Sequence, residues 1–433
     1  MMPLSRRHAL LGGLFGTGMV GLRALATGLP ASFLLNPRLA LADDPPATDP
    51  QFLIVSTSGS GDSINCNVPG TYDLPATFPS GSVVHPDTPE MVETELTLGA
   101  TKYKAAKPWS TLSKEVLGRT CFFHHGSLTA NHGDESRVLK MMGAVRRDEM
   151  LLSFLAKKLA PQFSTVQTEP VALGAETMQF EGKYQPRLSP TGLKAVLSPA
   201  TGLAFDLQKI RDTDLDAMNK LLKESHATKA ERNFLDQMAL SQAQVRKLSD
   251  QFATDVAAIK GDGADDQSLA AALLVRMKVT PVVVMHIPFS GDNHTDTDWV
   301  AETTQTVAGL ASMNRLFTKL KEYGLLDQAT FALLNVFGRE LGTPIEGRAH
   351  NPAHNVGVLI GKGFKPGVVG GITPKGAASE IDSATGQAKT GGDVTLTSSL
   401  ASFGKTLARG VGISEAALTE EMTDGIIVKG ALA

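Results

Sequence analysis

The stretch NVFGRELGTPIEGRAHNPAHN, residues 335–355, decides how the chain is read. It closes the apolar run ATFALLN (329–335) at Phe337-Gly338-Arg339 and places His350 and His354 in a loop just before a second apolar run, NVGVLIGKGF (355–364). Apolar runs of this length without alternation predict strands covered on both faces, as in a parallel sheet. Working outward, the same form recurs in QFLIVSTSGSGDSINCNVPG (51–70), GRTCFFHHGSLTANHGDESRVLKMMGA (118–144) and TPVVVMHIPFSGDNHTDTDW (280–299). Each is a strand followed by a polar loop, and in the second a helix is predicted to run on through Val138 and Met142. The expected fold class is α/β, a mostly parallel sheet sandwiched by helices.

A helical insertion over about 146–266 separates the second and third strands. Phe234, Met238, Val245, Leu248 and Phe252 recur at helical steps and predict an amphipathic helix over 228–258, preceded by a shorter one containing DLDAMNKLLKESH (214–226). Another helix is predicted from Ala301 to Tyr323, stopping before Gly324. Residues 372–393, ITPKGAASEIDSATGQAKTGGD, read as a polar surface loop.

The 433 residues, 42% hydrophobic and 20% charged, suffice for a sizeable core. The amino terminus carries Arg6-Arg7, a glycine-interrupted apolar stretch and Ala40-Leu41-Ala42. That pattern predicts a twin-arginine signal over 1–42, with 43–433 as the mature domain, periplasmic or extracellular and without a stable membrane span. Removing 1–42 takes away Arg6, Arg7, Arg23 and Arg38 and no acids, leaving 37 basic against 44 acidic residues, a balance that argues against nucleic acid. Cys66 and Cys121 could pair in an oxidising compartment or stay as buried thiols.

Of ten histidines, His124, His125, His132, His286, His294, His350 and His354 lie in or beside the strand-end loops, with Asp62, Asp134, Asp292, Asp296 and Asp298. Ligands of open α/β sheets bind outside the carboxyl ends of the strands, so these groups are expected to converge. Imidazole and carboxylate together suit a divalent cation.

The chain resembles the DUF1501 family of exported bacterial proteins, whose fold is similar to the alkaline phosphatase and sulfatase superfamily. SGSGDSIN (58–65), NHGDESRVLKMMGA (131–144), SGDNH (290–294), FGR (337–339) and GRAHNP (347–352) carry the resemblance. It implies Asp62, His132, Asp292, His294 and His350 as ligands of a divalent metal (Zn, Mn, Mg or Ca), and Arg339 and Arg348 as holders of an anionic group. Family members usually have glutamate before Phe-Gly-Arg and aspartate before the histidine, whereas here Val336 and Ala349 stand there. No nucleophile matches clearly, although Ser127 and Thr129 lie near. The resemblance therefore implies a degenerate metal site in a non-catalytic binding or assembly protein, with another exported protein as partner. The alternative is a metal-dependent hydrolase of a small phosphate or sulfate ester.

Overall fold

The computed structural model describes residues 50–74, 78–163, 169–174, 178–198, 203–225, 228–342 and 347–433; the expected signal, 1–42, lies outside them. Seven strands form the main sheet: β1 (Phe52–Ser58), β2 (Thr120–His125), β3 (Val171–Ala172), β4 (Val282–Met285), β5 (Ala329–Asn335), β6 (Asn355–Ile360) and β7 (Gly367–Val369), in the order β7-β2-β6-β5-β1-β4-β3. β1 pairs in parallel with β5, from Phe52 opposite Ala329 to Ser58 opposite Asn335, and with β4 on its other side. β6 is antiparallel to both β5 and β2. The connection from β5 to β6 carries the antiparallel ribbon of Gly338–Arg339 on His350–Asn351, which turns the chain back at the same edge of the sheet where β5 ends, so β6 starts there and runs the other way. The sheet is thus mostly parallel with one reversed strand.

The helices used below are α1 (Leu151–Leu159), α2 (Leu203–Ser225), α3 (Lys229–Ala258), α4 (Ala264–Arg276), α5 (Val300–Glu322) and α6 (Ser399–Gly410). Alternation along the strands divides the core in two. Phe52, Ile54, Val283, Met285, Phe331, Leu333 and Val358 pack with α4 and α5, through Leu269, Leu273, Leu310 and Leu316. Leu53, Val55, Val282, Val284, Ala332, Leu334 and Leu359 pack with α1 and α6, through Leu152, Leu155, Phe403 and Leu407. Both faces are covered, which is why the strands read as unbroken apolar runs.

α3 starts where its cap predicts: Thr228 and Glu231 form a capping box, and Phe234, Met238, Phe252 and Val256 are buried. Val245 and Leu248 fall outside the described side chains. The region 146–266 is not purely helical, because it also holds β3 and the hairpin Gln179–Tyr184. The helix expected through Val138 and Met142 stops at Leu139, since Met141 and Met142 both take left-handed backbone at φ 54°. Cys66 and Cys121 are unbonded and buried, and burial pushes each thiol up to about 12. Among the described residues no helix is long and apolar enough to cross a membrane.

Candidate metal centre

The loops after β1, β2, β4 and β5 gather at the carboxyl edge of the sheet. Because β6 runs the other way, the segment that enters it, Gly347–His354, reaches the same edge. His132, Asp292, His294 and His350 meet there, with one ligand atom from each lying within 4.8 Å of the others.

Their proton positions follow from their partners. His132 Nδ1 is 2.7 Å from the Gly59 carbonyl and His350 Nδ1 is 2.6 Å from the Ala130 carbonyl. A carbonyl only accepts, so each Nδ1 carries a proton and each ring turns its Nε2 into the cluster. Burial, together with the charges of Arg339, His294 and His132, holds His350 below the usual histidine range despite its bond to Ala130, and its Nε2 lone pair is turned to His294 Nε2 at 2.6 Å. Asp292 sits between the rings, Oδ2 at 3.4 Å from His132 Nε2 and Oδ1 at 3.5 Å from His294 Nε2. Burial alone would raise its carboxyl, but the hydrogen bond and charge of Arg339, with the two histidines, hold it below the carboxylate range. Three Nε2 atoms and a carboxylate thus converge where a cation could replace the proton between His294 and His350. Three imidazoles and a carboxylate fit a borderline ion such as Zn²⁺ or Mn²⁺ better than Mg²⁺ or Ca²⁺, which prefer oxygen donors. The carbonyls at Nδ1 of His132 and His350 are the usual outer support of a ligating histidine.

The floor is Phe337, whose ring centre is 4.1 Å from that of His350 and 5.0 Å from that of His132. Gly61, at φ +64°, lies against it; a Cβ there would come within 2.0 Å of the Phe337 ring.

Other predicted residues hold the frame. Asp62 is fully buried and stands outside the four; its Oδ1 accepts from the Gly291 amide at 2.6 Å, and its Oδ2 is 3.9 Å from His286 Nε2. Asp62 therefore shapes the loop that carries Asp292. Arg339 is also fully buried: its guanidinium donates to the carbonyls of Gly61, Ser60 and Arg348 and to Asp292 Oδ1. Arg348 donates to both oxygens of Glu302 and to the carbonyls of Val84, Glu340 and Leu341, and stacks 4.2 Å over Trp299. The acceptors that Arg339 and Arg348 meet in the structure are thus the protein's own, where the resemblance implies an outside anion. His124, His125 and His354 are likewise buried away from the cluster. His354 links Asn65 to His124, which reaches the Pro69 carbonyl.

Val336 and Ala349 take a different meaning. Val336 is fully buried among the apolar residues that include Leu334 and Phe337. Ala349 directly precedes the ribbon strand of His350–Asn351 and is exposed. Val336 thus sits in the core and Ala349 at the surface, and neither side chain offers a ligand atom. Ser127 and Thr129 are engaged too, with the Thr129 carbonyl and with Asp134.

Sequence reading missed Asn293 and Glu302. Both are buried, and Glu302 sits in the first turn of α5, where an acid is an ordinary helix-start residue. Only the pairing of Glu302 with Arg348 across 46 residues reveals its place.

The family model described as "Protein of unknown function (DUF1501)" matches residues 183–419, a span that contains Asp292, His294 and His350. No curated protein matches the sequence. Among solved structures, PsFucS1 sulfatase from Pseudoalteromonas sp. is similar at 12% identity and a TM-score of 0.32, with 95% of this chain and 76% of that one covered. The lipoteichoic acid synthase LtaP from Listeria monocytogenes is similar at 9% identity and a TM-score of 0.31, with 88% and 76% covered. Likeness at these scores is too slight to carry fold or activity across to this chain.

Proposed function

We propose a divalent-metal-binding function for this chain, which belongs to the DUF1501 family: one ion of the Zn²⁺ or Mn²⁺ class is held by His132, Asp292, His294 and His350, and the protein acts as an exported binding or assembly partner through that site. The observation that carries this reading is the convergence of four donors within 4.8 Å, two of them imidazoles whose Nδ1 protons are fixed on carbonyls. On loading, the His294 proton that lies between the two rings would move to Nδ1, freeing Nε2 for the ion; protons compete with the ion for imidazole and carboxylate lone pairs, so uptake weakens in acid. Export rests on Arg6-Arg7 and the Ala40-Leu41-Ala42 pattern.

One observation favours the hydrolase as a second reading. The Asp292 and His294 side chains are 48% and 44% exposed, so a small phosphate or sulfate ester could reach the cluster. A bound ion would supply Lewis acidity there. The residues would orient the ester, with Asp292 kept ionised by Arg339.

Isothermal titration of chelator-stripped protein with Zn²⁺ and Mn²⁺, followed by assays of p-nitrophenyl phosphate and sulfate, tests both readings. One ion per chain without turnover supports the binding protein, metal-dependent turnover establishes the second reading, and no uptake removes both.

A further inference from the structure

We infer that Glu302 and Arg348 are positioning residues that clamp the two loops of the four-donor centre against each other. The inference rests on the metal-binding reading for its consequence, although its geometry is independent of any ion.

The donors come from separate segments, and two of these segments, Gly291–His294 and Gly347–His350, meet through one buried carboxylate. Glu302 receives Arg348 Nε at 2.7 Å on Oε2 and Arg348 Nη2 at 3.1 Å on Oε1. The same carboxylate accepts from Asn293 Nδ2 at 3.1 Å, and Asn293 lies between the donors Asp292 and His294. Asn67 Nδ2 adds a fourth bond at 2.8 Å. Arg348 returns the link from the other side, since its backbone amide donates to the Asn293 carbonyl at 3.3 Å, two residues before His350. Its carbonyl accepts from Arg339, which also holds Asp292. The loops are so close that a Cβ on Gly347 would lie 2.2 Å from the His294 carbonyl oxygen.

Both charges are fully buried and joined by two hydrogen bonds, with the other donors of Arg348 on backbone carbonyls and the other acceptor sites of Glu302 taken by Asn67 and Asn293. Such a pair is weak evidence of net stability, because well-packed apolar residues often replace one at no loss. What it does here is fix register: a 1 Å slip of Asn293 against Arg348 would part His294 from His350, whose Nε2 atoms are 2.6 Å apart.

The experiment compares wild type, Glu302→Gln and the double variant Glu302→Leu/Arg348→Met, which removes both charges and keeps the site foldable should the single change not be. Two readouts are taken, the affinity for Co²⁺ alone by chelator competition, and the ring-to-ring NOE of His294 and His350 in metal-free, histidine-labelled protein. The clamp predicts a loss of about 10- to 100-fold in affinity and a weakened NOE in each folded variant, including a double variant of unchanged melting temperature. A variant that melts lower but keeps Co²⁺ affinity within about twofold and retains the NOE overturns the inference. If wild type takes up no Co²⁺, the metal reading falls, and the NOE alone then decides the clamp.

Discussion

Nε2 of His294 lies 2.6 Å from Nε2 of His350, while Nδ1 of His350 is committed to the Ala130 carbonyl. Only one proton fits between the two rings, and it comes from His294. The contact is the point in the cluster that most depends on the loops keeping their register.

Truncating one ring tests the donor set. His350→Ala should lower Zn²⁺ affinity by at least tenfold while leaving the metal-free fold intact, because the ring is part-exposed and its loop is held independently by Asn351 Nδ2 on the Gly376 carbonyl at 2.9 Å. Titration calorimetry with circular dichroism reads both. Unchanged affinity would remove His350 from the set.

Arg348 and Glu302 are both fully buried, so Arg348→Ala leaves an uncompensated carboxylate and should cost about 3–5 kcal/mol. Urea denaturation measures it. A loss within the range of an ordinary surface substitution would show that water or another cation replaces the guanidinium.

Stability should fall in acid through the buried histidines. Burial depresses His124 and His125 from 6.5 to about 4, and His125 stacks on Phe403 with no partner on Nε2. Above pH 6.5 both states are neutral and the contribution is fully present; between 6.5 and about 4 the unfolded chain binds protons that the folded chain refuses, and stability is lost. Melting temperatures at pH 7, 5.5 and 4.5 should drop steadily in wild type. His125→Phe should flatten part of that slope, by on the order of 3 kcal/mol over the window. An equal slope in the variant would place the acid sensitivity elsewhere.

Carboxylates at the two positions where the family usually has them should behave differently from each other. Val336→Glu buries a charge in apolar surroundings and should destabilise by several kcal/mol with no rescue by Zn²⁺. Ala349→Asp is exposed and should stay within about 0.5 kcal/mol. Thermal melts with and without Zn²⁺ check both, and metal-dependent stabilisation of either would bring that position back into the site.

What the sequence revealed follows from what each pattern encodes. The runs at 52–58, 120–125, 282–285, 329–335 and 355–360 were legible because burial on both faces leaves no alternation. The same lack of alternation hides direction, so the reversal of β6 could not be read. β3 and β7 were missed because two or three residues make no periodic signal. His132, Asp292, His294 and His350 were legible as strand-end groups expected to converge. Asp62 was expected at the metal and Arg339 and Arg348 at an anionic group, and sequence shows such charges without their partners: carbonyls at 60, 61, 84, 340 and 348 meet the two arginines and leave no sequence trace.

Elemental analysis of the purified protein tests the central claim most directly. The account predicts close to one Zn or Mn per chain, lost together with His350→Ala and with Asp292→Ala. Protein that stays metal-free after purification and dialysis against Zn²⁺ and Mn²⁺, or that keeps its ion in both variants, would contradict it.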